Sequence, residues 1–302
     1  MLGMNRRNAD FILPYNKRKY YPLVDNKRIT KQLAIEAGVR VPEVYTIIEI
    51  ERQIQGLHHL LEKHEDFVLK PASGSGGNGI WVITAHMYGR YRKSSGALVK
   101  HEEFDHHISN ILSGMYSLSG LNDTAIIEYR VKTDPFFDEI SYRGVPDIRT
   151  IIFRGVPVMA MLRLPTQLSD GKANLHQGAI GVGVDIKTGR TIQGVMQNQL
   201  MMAHPDTGTS IKNLALPYWD EILQLSAMCY EFAPLDYMGV DIVIDRDKGP
   251  MLLELNARPG LSIQLCNGEG LLHRLQKVAA IRDIPLRAQD RVALGKELIS
   301  PI

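Results

Sequence analysis

Asp241, Glu254 and Asn256 lie in GVDIVIDRDKGPMLLELNARPG, residues 239–260, where two apolar runs flank a polar turn. The runs read as strands joined by the four-residue turn RDKG, so that Asp245 pairs with Pro250. Counting back along the hairpin sets Asp241 directly opposite Glu254. Asn256 falls on the same face as Glu254, because strand side chains alternate. Opposed side chains have Cβ atoms about 4.5–5.5 Å apart. Two bare carboxylates held there repel, and a divalent cation removes the conflict. Three hard oxygen donors suit Mg²⁺ or Mn²⁺ and not zinc. Mg²⁺ takes few carboxylates and leaves room for phosphate oxygens, so the chemistry implied is that of a metal–nucleotide complex. Val240, Ile242, Ile244, Leu253 and Leu255 make the other face apolar, which separates core from carboxylates. A solvated edge hairpin is the competing reading. Arg258, just past the strand end, adds a cation that either meets a phosphate or caps the acidic cluster.

A second stretch, FVLKPASGSGGNGIWVI at 67–83, places Lys70 at the end of a strand, before a glycine- and serine-rich loop and a new strand. Its order is not that of the nucleotide loops in which the lysine follows the glycines and a helix comes next. It reads as a hairpin tip that folds over a ligand, with glycine amides free to approach phosphate oxygens and Lys70 beneath as a point charge. An ordinary mobile loop has the same composition. Lys27 alone reads as a surface lysine. Glu128, Tyr129 and Arg130 end a short strand that could offer backbone groups to a purine edge. Asp147 and Arg149 share a strand face, Arg163 lies on the next strand, and Asn174 and His176 follow a polar loop. Together these could bind phosphate and a developing oxyanion, although each alone reads as an ion-paired surface residue. His58, His59, His106 and His107 read as solvated.

The elements that must position these groups are legible in outline. Residues 25–37 have helical periodicity ended by Gly38. Residues 39–50 read as extended and 51–62 as a short helix. Strands are expected at 67–70, 80–83, 125–131, 148–153, 156–164, 179–186, 240–245 and 251–256, with helices at 102–112, 218–232 and twice within 268–298. Residues 1–25 read as irregular. Helices followed by a strand meander give an α+β pattern, not regular βαβ alternation.

The length of 302 residues allows about two domains. Apolar residues at 44% and charged at 23% fit a soluble globular chain and exclude a fibrous one. Lys plus Arg is 35 against 33 for Asp plus Glu, a net charge of +2 that gives no general pull toward nucleic acid or anionic membrane. Two cysteines, Cys229 and Cys266, are too few for a disulfide scaffold and read as reduced, buried thiols. No apolar run is long enough to span a bilayer, and the N-terminus lacks a signal-peptide core. A cytoplasmic protein is expected.

Taken together, DNKRITK with Lys27, VLKPASGSGGNG with Lys70, IIEYR with Glu128, PDIRTIIF and GVDIVI…LLELNARPG resemble the ATP-grasp superfamily. MNRRNADFILPYN, YPLVDNKRITK and HPDTG are similar to its α-L-glutamate ligase-like branch, related to sugar-transfer-associated proteins. The resemblance implies an α+β ATP-grasp fold, two α+β subdomains sandwiching ATP, without the usual preceding domain. Its divisions would be an N-terminal segment at 1–25, subdomains at 26–130 and 131–265, and a helical tail at 266–302. Lys27 and Lys70 would bind ATP phosphates under a flap including Ser73, Gly74, Ser75, Gly76 and Gly77. Glu128, Tyr129 and Arg130 would form the adenine hinge. Asp241, Glu254 and Asn256 would hold Mg²⁺ or Mn²⁺, and Arg149 and Arg163 would steady the transferred phosphoryl group or the acyl phosphate, with Arg258 as a third candidate catalytic residue. The implied activity is an ATP-dependent, ADP-forming carboxylate–amine ligase acting through an acyl phosphate, with glutamate or another amino acid as one substrate. A kinase acting on a hydroxyl and a non-catalytic nucleotide-binding module are the alternatives. Carboxylate and amine substrates are the expected partners, with a partner protein or a second copy supplying the absent domain.

Overall fold

The computed structural model describes residues 1–74, 76–117 and 120–298. Ser75 lies outside the described residues. The chain divides into two compact units. One comprises Met1–Asp25, Ile29–Val41 and the chain from Val131 onward. The other comprises Asn26–Arg28 and Pro42–Arg130.

In the larger unit the described strands form a seven-stranded antiparallel sheet. They are β7 (Asp147–Phe153), β8 (Val156–Leu164), β9 (Ile180–Val184), β10 (Thr191–Met196), β11 (Gln199–Met201), β12 (Tyr237–Asp245) and β13 (Gly249–Asn256). The order is β11-β10-β9-β8-β7-β12-β13, so β12 pairs with β7 on one side and β13 on the other. Alternation sends Ile148, Ile152, Val240, Ile242 and Ile244 to one face, where they pack with Ile222 and Leu223 of α6 (Trp219–Phe232). Ile151, Phe153, Met159 and Met161 point to the other face, against Leu2, Phe11 and Ile12 of the N-terminal segment, Ile263 and Cys266 of α7 (Ile263–Asn267), Leu275 of α8 (Leu272–Ala279) and Leu271 just before it. Gly183 permits that approach, since a Cβ there would sit 2.3 Å from the carbonyl oxygen of Cys266. A last helix, α9 (Ala288–Leu298), is fastened by buried Arg291, which donates to carbonyls of Gly155 and Ala227.

Residues 1–25 are not irregular. They form α1 (Met4–Arg7), a wider turn at Asn8–Ile12 and α2 (Pro22–Asp25), ahead of α3 (Lys27–Glu36). Their helicity comes from burial of Leu2, Phe11 and Ile12 on the sheet, a tertiary gain that segments this short do not show as periodicity. The sequence reading also missed β10 and β11. Their two-residue turn is Gln197–Asn198, with φ of 48° and 67°. A tight hairpin usually places glycine at such positions, so this one carries little local signal.

The smaller unit is a six-stranded antiparallel sheet among the described residues. Its strands are β1 (Val44–Ile48), β2 (Phe67–Pro71), β3 (Trp81–Met87), β4 (Arg90–Lys93), β5 (Leu98–Val99) and β6 (Ala125–Glu128), in the order β1-β6-β2-β3-β4-β5. Residues 51–62 give a 3₁₀ turn at Glu51–Ile54 and α4 (Leu57–Leu61). The segment after 83 continues as strand, turning at Tyr88–Gly89. Helix α5 (His101–Leu112) starts with Glu103 accepting from the Lys100 backbone N–H at 2.8 Å. It lays Phe104, Ile108 and Ile111 on Phe67, Leu69, Ile83 and Ile127, a spacing of four and three that keeps one helix face on the sheet.

Candidate functional site

In the larger unit the charged face is built by register. Asp241 stands opposite Glu254 on β13 and opposite Arg149 on β7, and Asp147 stands opposite Arg163 on β8. The Asp241–Glu254 pairing is the one expected from sequence, but the turn is not. Asp245 pairs with Gly249, leaving a three-residue tip, and a bulge between Asp241 and Ile242 recovers the difference. The tip closes this way because the buried Asp245 carboxylate accepts from the backbone N–H groups of Asp247 and Lys248, both at 2.9 Å, and of Lys132 at 2.7 Å. Leu253 is the extra residue. Leu252, not Leu253, therefore takes the core position beside Leu255.

Arg149 donates from Nε and Nη2 to the two oxygens of Asp241 at 2.7 and 2.5 Å. Arg163 forks onto Asp147 at 2.5 and 2.7 Å and reaches Asp241 Oδ2 from Nη2 at 2.6 Å. Asp241 is wholly buried, whereas the Glu254 side chain is 34% exposed, with Arg149 Nη2 at 3.9 Å. Burial alone pushes the Asp241 carboxyl up, but Arg149 and Arg163 outweigh it and hold the group below the usual carboxylate range. Asp147 moves the other way. Burial and the neighbouring Asp241 raise it, against Arg163. The asymmetry follows from two guanidinia on one acid and a single bidentate guanidinium on the other.

Among the described residues nothing engages Nη1 of either arginine, so each keeps N–H groups for an incoming oxyanion. Asn256 lies two residues beyond Glu254, and its Oδ1 accepts from the Arg258 backbone N–H at 3.3 Å. The Arg258 guanidinium sits over the Tyr21 ring, 5.0 Å from its centroid, and is not part of the Asp241 network. No group of three or more His, Cys, Asp or Glu among the described residues forms a metal cage. The oxygen set of Asp241, Glu254 and Asn256 fits a hard cation only if other oxygens complete its shell, as phosphate oxygens do for Mg²⁺.

In the smaller unit Lys70 and Glu128 form a buried ion pair, Nζ to Oε1 at 2.6 Å. They sit diagonally across β2 and β6, where Lys70 pairs with Ile126 and Val68 with Glu128. Lys27 Nζ donates to the Gly74 carbonyl at 2.5 Å. Ser73 N–H donates to both carboxylate oxygens of Asp123 at 3.0 and 3.1 Å. Gly76 and Gly77 have φ of 65° and 80°, which glycine adopts freely. Tyr129 N–H donates to the Glu43 carbonyl, and Arg130 forks onto Asp66 Oδ2 at 2.9 and 2.7 Å. The sequence reading missed three partners here, Asp66, Asp123 and the Lys70–Glu128 pair, because each depends on strand register between distant segments.

Two of the histidines read as solvated are not. His107 is buried, and His58 Nδ1 is 2.7 Å from the Tyr91 hydroxyl. His204 is buried as well and donates from Nε2 to the Pro165 carbonyl.

The model of the sugar-transfer associated ATP-grasp family matches residues 6–280. The chain belongs to that family. Its two antiparallel sheets with flanking helices are accordingly an α+β ATP-grasp fold. Among solved structures it is similar to the ATP-grasp ligase PsnB complexed with a minimal precursor, with 13% identity and a TM-score of 0.45 over 93% of this chain and 63% of that one. It is similar also to the D-cycloserine synthetase DcsG, with 17% identity and a TM-score of 0.46 over 86% and 70% of the two chains. For a D-alanine–D-alanine ligase from Bacillus anthracis complexed with ATP the values are 14% and 0.47 over 94% and 68%. The ATP-grasp chain thus spans less than two thirds of the length of PsnB. No curated protein sequence matches it. No helix among the described residues is long and apolar enough to cross a membrane.

Proposed function

We propose that this ATP-grasp protein is an ATP- and Mg²⁺-dependent carboxylate–amine ligase. The observation that carries the proposal is the Asp241 network. Two guanidinia are locked in place by carboxylates and still hold N–H groups in reserve, on the same sheet face as a half-buried glutamate and an asparagine. That arrangement is preorganised for anionic oxygen and contains no nucleophile.

The reaction needs none from the protein. A substrate carboxylate oxygen attacks the γ-phosphorus of ATP, the bond to the β-phosphate oxygen breaks, and ADP leaves. An amine nitrogen then attacks the acyl-phosphate carbon, the carbon–oxygen bond to phosphate breaks, and phosphate leaves as the nitrogen loses a proton. Arg149 and Arg163 stabilise the equatorial phosphoryl oxygens through their Nη1 groups. Asp147 and Asp241 keep both guanidinia from swinging away, which preserves alignment. Glu254 and Asn256 would hold Mg²⁺, joined by Asp241 where a guanidinium gives way, and the ion would supply charge neutralisation at the phosphates. In the smaller unit, Lys27, Lys70 and the loop at 73–77 bind ATP phosphates, and the segment Glu128, Tyr129 and Arg130 meets the adenine. Arg258 is assigned to the acceptor carboxylate or phosphate. The substrate amine or carboxylate belongs to an amino acid such as glutamate.

The test is ATP turnover with Mg²⁺ against a panel of amino acids and small carboxylic acids, with hydroxylamine as trap. ADP, phosphate and a hydroxamate from one acid establish the ligase. AMP and pyrophosphate, or phosphate carried on a product hydroxyl, overturn it.

A further inference from the structure

The segment between β3 and β6 has no role in the chemistry above, yet it grips both ends of the glycine-rich loop. At the start, Asp123 takes the Ser73 N–H, and Gly74 bridges to Ser117. At the end, His107 of α5 lies 2.9 Å from the Gly79 carbonyl through Nε2. A carbonyl only accepts, so Nε2 carries the proton. Nδ1 is then the acceptor in the neutral ring, and the Tyr116 hydroxyl lies 3.3 Å from it. The imidazole stacks flat on Trp81 with centroids 4.0 Å apart and is 6% exposed. Gly79, at φ 75°, leaves no space for a side chain, because a Cβ there would meet Tyr116 Cγ at 2.6 Å.

We propose that His107 is a positioning residue for the glycine-rich loop, holding its C-terminal end in place so that the inserted helix sets the affinity of the loop for ATP. The ATP clause rests on the function proposed above; the grip on the loop does not. Burial lowers the His107 pKa. Lys93, over the Trp81 ring at 4.2 Å, and His106 on the same helix lower it further, and only the Gly79 carbonyl raises it. Tyr116 is the other titratable group against the ring, and Glu102 and Glu103 line the depression beside it. Nε2 donates to the Gly79 carbonyl in the neutral and the protonated ring alike, so the grip does not depend on the proton at Nδ1.

The experiment is amide hydrogen exchange at 76–80, corrected for intrinsic rate, together with calorimetric titration of MgATP. Both are done on the full chain at pH 7.5. His107→Ala is expected to speed exchange and raise the ATP Kd, each by about fivefold at pH 7.5, the loss of one hydrogen bond. His107→Gln keeps a donor at the Nε2 position and is expected to match wild type. His107→Asn keeps a polar group that cannot reach Gly79 and is expected to behave as alanine, which covers a failure of His107→Ala to fold. Unchanged exchange in His107→Asn, or equal loss in the glutamine and asparagine variants, overturns the proposal. If wild type shows the exchange pattern but binds no ATP, the grip stands and the ligase reading falls.

Discussion

Arg149 and Asp241 face each other across β7 and β12 and are joined by hydrogen bonds of 2.7 and 2.5 Å on a wholly buried carboxylate. With Arg163 added, Asp241 accepts three charged hydrogen bonds. It is a structural keystone for two cations as well as a candidate metal ligand.

Asp241→Asn is therefore expected to destabilise the larger unit by about 3–5 kcal/mol, since it leaves buried guanidinia short of charge. The folded-state pKa lies below the unfolded one. The stabilisation is thus present above the ordinary carboxylate pKa and is lost as pH falls toward about 2. Urea unfolding of wild type and variant should differ most at pH 7 and less at pH 3. Equal stability at pH 7 would show that the pair is not what holds the face together.

Glu254→Gln should behave differently. The side chain is a third exposed and its nearest arginine nitrogen is 3.9 Å away, so stability should change by less than about 1 kcal/mol. Mn²⁺ uptake in the presence of ATP, followed by paramagnetic resonance, should fall at least tenfold and Mg²⁺-dependent turnover should vanish. Full turnover in this variant removes Glu254 from the metal site.

Lys70→Met is expected to lower stability by about 3–5 kcal/mol through loss of the buried cation beside Glu128. Combining it with Glu128→Gln should recover most of that stability without recovering ATP affinity. Thermal melts and ATP titrations of the three variants separate the two roles. Recovery of both together would show that Lys70 acts only through the fold.

Cys229 and Cys266 are both buried, and burial raises both thiol pKa values, that of Cys266 to about 12. At pH 8.5 almost none is thiolate, so a disulfide reagent should titrate no thiol in the native protein and two after denaturation. Rapid native labelling of Cys266 would mean that α7 opens from the sheet.

The sequence was most readable where a pattern is local. The opposition of Asp241 and Glu254 needs only one hairpin and strand alternation. The shared face of Asp147 and Arg149 needs only a spacing of two. The pairing of Asp147 with Arg163, the three-way grip on Asp241 and the Lys70–Glu128 contact each need the register of separate strands, which composition does not encode locally. His107 escaped because a histidine in a polar helical stretch looks solvated until Trp81 and Tyr116 are packed around it. The hairpin tip was misjudged for a related reason. A four-residue turn and a three-residue turn with one bulge give the same opposition at Asp241.

That equivalence has a consequence for the length of the hairpin. Ile242 pairs with Leu252 and Asp241 with Glu254, so Leu253 is surplus to the ladder. Removing it would still bring a leucine opposite Ile242, a glutamate opposite Asp241 and a leucine opposite Val240. The hairpin can be shortened by one residue without turning a single side chain to the wrong face. What it would lose is the extra local twist that a bulge brings to its strand, next to Glu254. The surplus residue acts on the angle at which the glutamate is presented, not on which residues meet.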